Sequence, residues 1–306
     1  WTHFAYTRSA STIKLYINGT LDKSDTANNA INAGSTQDII IGNQPGASVY
    51  FDGKLAQLRI YSSTLDSSQI LTNYNATKDL YQGITSLEID LDANSYSGSG
   101  NWLDGANDYD ASISAATYVN DNNSDYFDFA GSTNNPVSIS YNSILNAAAR
   151  SWEFWVWFDT DAMNFFGGTW GSANNTKTVL FRMKDGNNAI RAQVYDGAGT
   201  SVEPTTANNV VNTNEWNHIV FTSDNSDNSF KIYVNGVEKY SDTLSIDMNT
   251  SSTDNFIIGA GGGYSSGRLN GRVAQFRYYK GAMTASQVKT NYNATKELYQ
   301  NPTILI

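Results

Sequence analysis

Two parts of this chain repeat one another about 218 residues apart, and that repetition limits the possible folds more than any other feature. TNYNATKDLYQ (Thr72 to Gln82) returns as TNYNATKELYQ (Thr290 to Gln300), and FDGKLAQLRIY (Phe51 to Tyr61) returns as LNGRVAQFRYY (Leu269 to Tyr279). Further upstream, DIIIGN (Asp38 to Asn43) matches NFIIGA, IKLYING (Ile13 to Gly19) matches FKIYVNG (Phe230 to Gly236), and WTHFAYT (Trp1 to Thr7) matches WNHIVFT (Trp216 to Thr222). A period this long is domain-sized and too long for a solenoid unit. Residues 83–300 therefore read as one complete module, residues 1–82 as the C-terminal third of another, and residues 301–306 as the start of a further module or a linker. The partial copy has nothing that matches residues 83–215. Its missing part is expected upstream of Trp1, faced by Phe4, Tyr6, Leu15, Ile17, Ile39 and Ile41.

Local patterns inside the complete copy are those of short strands. KIYVNGVEKY (Lys231 to Tyr240) is two alternating runs about Asn235-Gly236, a hairpin signal because both turn residues tolerate positive φ, and Asn18-Gly19 repeats it. SLEIDLDA (Ser86 to Ala93), DYFDFAG (Asp125 to Gly131), SWEFWVWFD (Ser151 to Asp159), TVLFRMKD (Thr178 to Asp185), AIRAQVYD (Ala189 to Asp196), HIVFTSD and RVAQFRYYK follow at turn-separated intervals. Trp152, Trp155, Trp157 and Trp216 read as core residues of such strands. The exception is TASQVKTNYNA (Thr284 to Ala294). There Thr284 and Gln287 have the spacing of a capping box, so a short helix is predicted, and Asp66 and Gln69 stand in the same relation in the other copy. The strand near Ser86 to Ala93 is expected to lie beside that of Arg272 to Lys280.

Composition removes several function classes. A net charge of −10 and a pI near 4.6, with no Lys/Arg cluster, disfavour nucleic acid as a partner. No cysteine is present, so there is no disulfide framework and no thiolate site. No apolar run approaches the roughly 18 residues of a membrane span, so membrane insertion is not expected. No Ser/His/Asp arrangement, Walker-type loop or His-rich zinc motif is visible. His3 and His218 occupy one position in two copies and read as a repeated structural histidine. The N-x-S/T triplets headed by Asn18, Asn75, Asn122, Asn174, Asn249 and Asn293 matter as glycosylation sites only in a eukaryotic secretory pathway.

The order of the parts carries a family resemblance. A first strand ending in Leu-Asp-Ala is followed by SYSGSGNWLDGANDYDAS, YFDFAG, SWEFWVWF, EWNHIVFT, the FKIYVNG hairpin, NFIIG, LNGRVAQFRYY and the helix ending NYNA. This resembles the laminin-G-like (concanavalin A-like) jelly-roll domains of tailed-phage virion proteins and secreted bacterial adhesins, over residues 84–298 and, for the tail of such a domain, residues 1–82. The resemblance implies an all-β fold of two antiparallel sheets packed face to face, in tandem repeats with one short C-terminal helix each. It also implies a concave face and rim loops available to ligand, and often a structural calcium ion. The fold alone assigns no function, since it hosts lectins, glycosidases and spacers alike.

Three candidate sites follow. Asp104, Asn107, Asp108 and Asp110 crowd one turn after Trp102 and offer the hard oxygens calcium prefers; the other reading is an Asx-turn loop whose side chains cap backbone N–H groups. A sugar site needs aromatic platforms among Asn, Asp and Gly, and the stretch AMNFFGGTWGSANN (Ala162 to Asn175) supplies Phe165, Phe166 and Trp170, with Tyr195 and Tyr264 placed to line the same rim. Glu88, Asp90 and Asp92 alternate on one strand face about 7 Å apart, a spacing suited to acid/base work on a glycosidic bond and similar to the signature of glucanases of this fold. Against catalysis, the third carboxylate is Asp rather than Glu, and the strand opens the domain. The expected function is a non-catalytic adhesion and recognition module on an extracellular surface, the glycan-binding part of a phage fibre, tail or capsid decoration, with host-cell glycan and other virion or surface proteins as partners. A purely structural spacer and a glycoside hydrolase are the alternatives, and a bacterial surface is the alternative location.

Overall fold

The computed structural model describes residues 2–27, 39–42, 50–53, 55, 57–81, 86–121, 124–129, 136–261 and 268–300. The chain divides into two compact units, Trp1–Gln82 and Gly83–Ile306. In the smaller unit β1 (Phe4–Ser9), β2 (Thr12–Ile17) and β3 (Thr20–Thr26) form an antiparallel sheet in that order, and α1 (Ser67–Tyr81) follows. The β2–β3 turn has φ of 50° at Asn18 and 78° at Gly19, a left-handed pair that Asn and Gly adopt without the Cβ penalty other residues meet. At the start of α1 the Gln69 amide donates to Asp66 Oδ1 and the Asp66 amide to Gln69 Oε1, closing a reciprocal cap.

The larger unit is a two-sheet antiparallel sandwich. Its first strands are β4 (Ser86–Asp92), β5 (Ala111–Ile113), β6 (Thr117–Val119), β7 (Tyr126–Asp128), β8 (Val137–Ile139) and β9 (Ala149–Phe158). Then come β10 (Asn164–Thr169), β11 (Val179–Met183), β12 (Ile190–Tyr195), β13 (Ser201–Val202), β14 (Trp216–Asp224) and β15 (Ser229–Val234). β16 (Val237–Thr243), β17 (Phe256–Ile258), β18 (Gly271–Lys280) and α2 (Ala285–Tyr299) complete it. One sheet runs β13-β12-β11-β10-β17-β8-β5, and the other β16-β15-β14-β9-β18-β7-β6 with β4 also on β18. β4 and β18 pair antiparallel, with Phe276 opposite Leu91 and Lys280 opposite Ser86.

Alternation along the strands builds the core. From β9, Trp152, Phe154, Val156 and Phe158 point between the sheets, where they meet Phe166 of β10 and Phe181 of β11. The opposite face of β9 is closed as well, because α2 lies on it. Trp155 packs with Trp216 and Tyr299 and donates from Nε1 to Thr295 Oγ1 at 2.9 Å, while Val220, Tyr233 and Tyr279 pack with Met283 and Val288. Thr284 caps α2 with a complete capping box to Gln287, and the helix runs on to Tyr299, five residues past the NYNA signal.

The stretch around Phe165 is strand β10 in the middle of the seven-stranded sheet, not the rim insertion expected from its sequence. Gly167 and Gly168 obscure it, since paired glycines read as a loop. Both are there for close approach. A Cβ at Gly168 would lie 2.4 Å from the Val179 carbonyl oxygen, and one at Gly167 would lie 3.0 Å from the Phe154 ring.

Candidate functional site on the outer face of the seven-stranded sheet

Packing leaves the two sheets differently dressed. α2 packs on the outer face of the eight-stranded sheet, whereas the outer face of the other carries partly exposed polar side chains on β11 and β12. On β11 Val179, Phe181 and Met183 face the core and Arg182 faces out; on β12 Ile190, Ala192 and Val194 face in and Arg191, Gln193 and Tyr195 face out. Arg182 and Arg191 lie directly opposite one another, a repulsive register by itself. Glu203 resolves it by accepting from both, at 2.9 Å from Arg182 Nη2 and 2.5 Å from Arg191 Nη1. Arg191 Nε also donates to Thr205 Oγ1.

At the end of this strip, Trp170 meets Tyr195 edge to face, ring centroids 4.7 Å apart, and the Lys177 ammonium sits 4.5 Å from the Trp170 centroid and 5.7 Å from that of Tyr195. Lys177 Nζ donates to Asn174 Oδ1 at 3.3 Å. The neighbouring turn is held by Asp196, whose Oδ1 accepts from the amides of Ala198, Gly199 and Thr200. Desolvation pulls its carboxyl upward, and these hydrogen bonds outweigh that and hold it below the usual carboxylate range. Indole, ammonium, amide and guanidinium groups thus follow one another along one face, a set suited to stacking on a sugar ring and bonding its hydroxyls.

The structure places the expected aromatics in two different settings. Trp170 and Tyr195 come together. Phe165 and Phe166 do not join them and are fully buried: Phe166 faces the core, and Phe165 lies under the Arg182 guanidinium and against Gly261. They are corrected from platform to packing residues. Tyr264 lies outside the described residues.

The Asp104 loop uses its carboxylate as a cap. Asp104 Oδ1 accepts from the amides of Asp90 (2.7 Å) and Ala106 (2.9 Å), and Oδ2 from those of Asn107 (3.1 Å) and Tyr109 (3.2 Å). Asp110 Oδ1 accepts from the Asp104 amide, Asn107 Nδ2 donates to the Glu88 carbonyl, and Asp108 is exposed. A carboxylate offers about four lone-pair sites, and N–H donors take all four of these, so the arrangement does not fit a hard cation. Among the described residues no group of three or more His, Asp or Glu side chains is placed to hold a metal. Asp104→Ala is expected to lower stability by about 1–3 kcal/mol, by the same amount in calcium and in chelator. A loss confined to calcium-containing buffer would restore the cation.

The carboxylates suspected of catalysis have other partners. Glu88 accepts from the Ser86 hydroxyl, Asp90 Oδ1 from Arg277 Nε at 2.9 Å, and Asp92 from the Asn94 amide and, at 3.4 Å, from Gln275 Nε2. Burial lifts the Asp90 carboxyl above its ordinary range despite the Arg277 guanidinium. The same arginine reaches a group that sequence reasoning missed. Glu153, on the outward face of β9, is fully buried beneath α2. Its Oε1 lies 2.8 Å from His218 Nε2 and 3.9 Å from Arg277 Nη1, and its Oε2 accepts from Tyr279 Oη and Asn291 Nδ2, each at 2.8 Å. Burial alone would raise this carboxyl, but His218, Arg277 and Asn291 carry it down to about 2. With Glu153 and His218 sealed from solvent, this is a cradle that fastens helix to sheet. A signal for it existed: His, Arg, Tyr and Asn recur at the matching positions 3, 59, 61 and 73.

A family model described as Laminin_G_3, the concanavalin A-like lectin/glucanases superfamily, matches residues 1–71 and 130–289. No curated protein sequence is similar enough to count as a match. Among solved structures, domain 4 of AbnA, a GH43 extracellular arabinanase from Geobacillus stearothermophilus in complex with arabinotriose, is 20% identical with a TM-score of 0.52, covering 67% of this chain and 98% of that one. The binding domain of Paraclostridial Mosquitocidal Protein 1 is 19% identical with a TM-score of 0.54, covering 68% and 52%. The receptor binding domain of botulinum neurotoxin type G is 17% identical with a TM-score of 0.51, covering 69% and 51%. The chain thus spans about half the length of each of these two binding domains. At these identities the likeness is one of fold.

Proposed function

We propose that this chain, which belongs to the concanavalin A-like lectin/glucanases superfamily, is a non-catalytic recognition module that binds glycan on the outer face of its seven-stranded sheet. The reading rests on the meeting of Trp170, Tyr195 and Lys177 at one end of a strip that continues through Gln193 to the Arg191–Glu203–Arg182 cluster. The neighbours in fold lean the same way, one solved with arabinotriose and two named as binding domains. We place the module on an extracellular surface, that of a virion fibre, tail or capsid decoration or of a bacterial cell, with host-cell glycan and neighbouring surface proteins as its partners. No helix among the described residues is long and apolar enough to cross a membrane.

The test is a glycan array probed with the full chain. Binding is expected to persist in chelator and to fall about tenfold for Trp170→Ala, the loss of one aromatic platform. Unchanged binding by that variant would move the site elsewhere. Silence of the wild type across the array would favour the spacer reading, and release of reducing ends from polysaccharide would favour the hydrolase.

A further inference from the structure

The smaller unit contains a cavity of about 560 Å³ between β1 and the stretch Gln57–Leu65, with Ile70 and Asn73 of α1 also lining it. His3, Arg59, Tyr61 and Asn73 all line it, and these four match His218, Arg277, Tyr279 and Asn291, the residues that surround the Glu153 carboxylate.

Sequence correspondence extends to geometry. The His3 amide donates to Asn18 Oδ1 at 3.0 Å, as the His218 amide does to Asn235 Oδ1 at 2.9 Å. Asn73 Nδ2 donates to Tyr61 Oη at 3.1 Å, as Asn291 Nδ2 does to Tyr279 Oη at 2.7 Å. The ring of His3 lies 5.7 Å from that of Tyr74, and the ring of His218 lies 5.6 Å from that of Tyr292. The cradle is thus built twice. In the larger unit β9 runs between β14 and β18 and brings Glu153 into it. In the smaller unit β1 pairs with β2, and among the described residues no strand pairs with β1 on its other side.

Two further features bear on the chemistry the cavity suits. Among the described residues its lining includes the cations Arg8 and Arg59 and no Asp or Glu, so its charge complements a carboxylate. Its walls are apolar and uncovered where their counterparts are not. Phe4 and Ile60 are 66% and 69% exposed, whereas the matching Ile219 and Tyr278 are fully buried.

We propose that this groove is an acceptor for one incoming β-strand, a polypeptide segment of the β9 type in which a glutamate stands between alternating aromatic residues. The strand adds to the edge of β1, its aromatic side chains cover Phe4, Tyr6, Leu58 and Ile60, and its glutamate enters the His3, Arg59, Tyr61 and Asn73 cradle. Main-chain pairing and apolar contact supply affinity, and the cradle selects a carboxylate at one register position. This stands apart from glycan binding, which concerns the other unit.

The experiment titrates the full 306-residue chain into a fluorescein-labelled peptide of the sequence of residues 150–158, flanked by lysines for solubility, and follows anisotropy. Saturable binding is expected. It should weaken about tenfold or more when the peptide glutamate is replaced with glutamine, a change that leaves the protein untouched, and similarly for Arg59→Ala in the chain. Absence of binding, or equal binding of the Glu and Gln peptides, overturns the proposal. Concentration-dependent dimerisation that the peptide does not compete away also overturns it, because a second copy would then fill the groove.

Discussion

Glu153→Ala is expected to destabilise the larger unit by about 3–5 kcal/mol, the range for removing one member of a buried charged network. The variant leaves His218, Arg277, Tyr279 and Asn291 facing a void under α2 with no carboxylate to accept from them. Urea unfolding followed by tryptophan fluorescence measures the effect cleanly, since six of the seven tryptophans lie beyond residue 83. The wild type should also show an acid signature. The Glu153 carboxyl sits at about 2 in the fold against 4.5 for the free group, so its contribution is fully present above about pH 4.5 and drains away as pH falls toward 2. That span corresponds to an order of 3 kcal/mol. The alanine variant should have lost this part of the acid slope, and an unaltered slope would show that the cradle does not hold an ionised carboxylate.

Phe154→Ala is expected to cost a similar amount, about 3–5 kcal/mol, by a different route. Phe154 is fully buried at the centre of β9, and its ring contacts Phe166 at 5.2 Å, Phe181 at 5.8 Å and Phe276 at 4.9 Å, so both sheets lose contact at once. Strands on either side fix its backbone, with Ile219 and Phe276 opposite it in register, which limits how far the surroundings can collapse into the space. For a unit of this size the melting temperature should fall by roughly 10 °C. A fall of only a degree or two would mean that the core relaxes to fill the hole. Because this term is apolar packing, the deficit should be the same at pH 3 and pH 7, which distinguishes it from that of Glu153→Ala.

The contrast between these two residues shows how far the sequence could be read. Phe154 lies in the aromatic strand Ser151 to Asp159, which was legible as a core strand from its tryptophans, although the sequence did not say that Trp152 and Trp155 serve opposite faces of it. The Asn-Gly hairpins, the capping box at Thr284 and the pairing of the first and last strands were legible for the same reason, since each is written within a few residues of chain or in the order of the parts. β10 was not, because Gly167 and Gly168 are required by approaches to Val179 and Phe154 that exist only after folding. Asp104 looked like a calcium ligand because composition cannot say whether lone pairs face solvent or amides. Glu153 stood in plain view between two aromatic residues, yet its partners lie on β14, β18 and α2, at separations of 65 to 138 residues. Of the rim aromatics, the proximity of Trp170 and Tyr195 could be anticipated. The Lys177 ammonium against both rings could not.

The unequal covering of the two sheets has an evolutionary consequence. With one outer face locked to a helix by a buried charge, only the other is free to diversify, and strand alternation separates it from the core: Gln193 and Arg191 project outward from the same strand whose Ala192 and Val194 hold the interior. Outward side chains on this face can therefore be exchanged without reworking the core, and under the proposed function such exchanges would change which glycan is bound. Arg182, Arg191 and Glu203 are tied together, since loss of the acid would leave two guanidinium groups face to face, and they should drift as a set while Gln193 drifts alone.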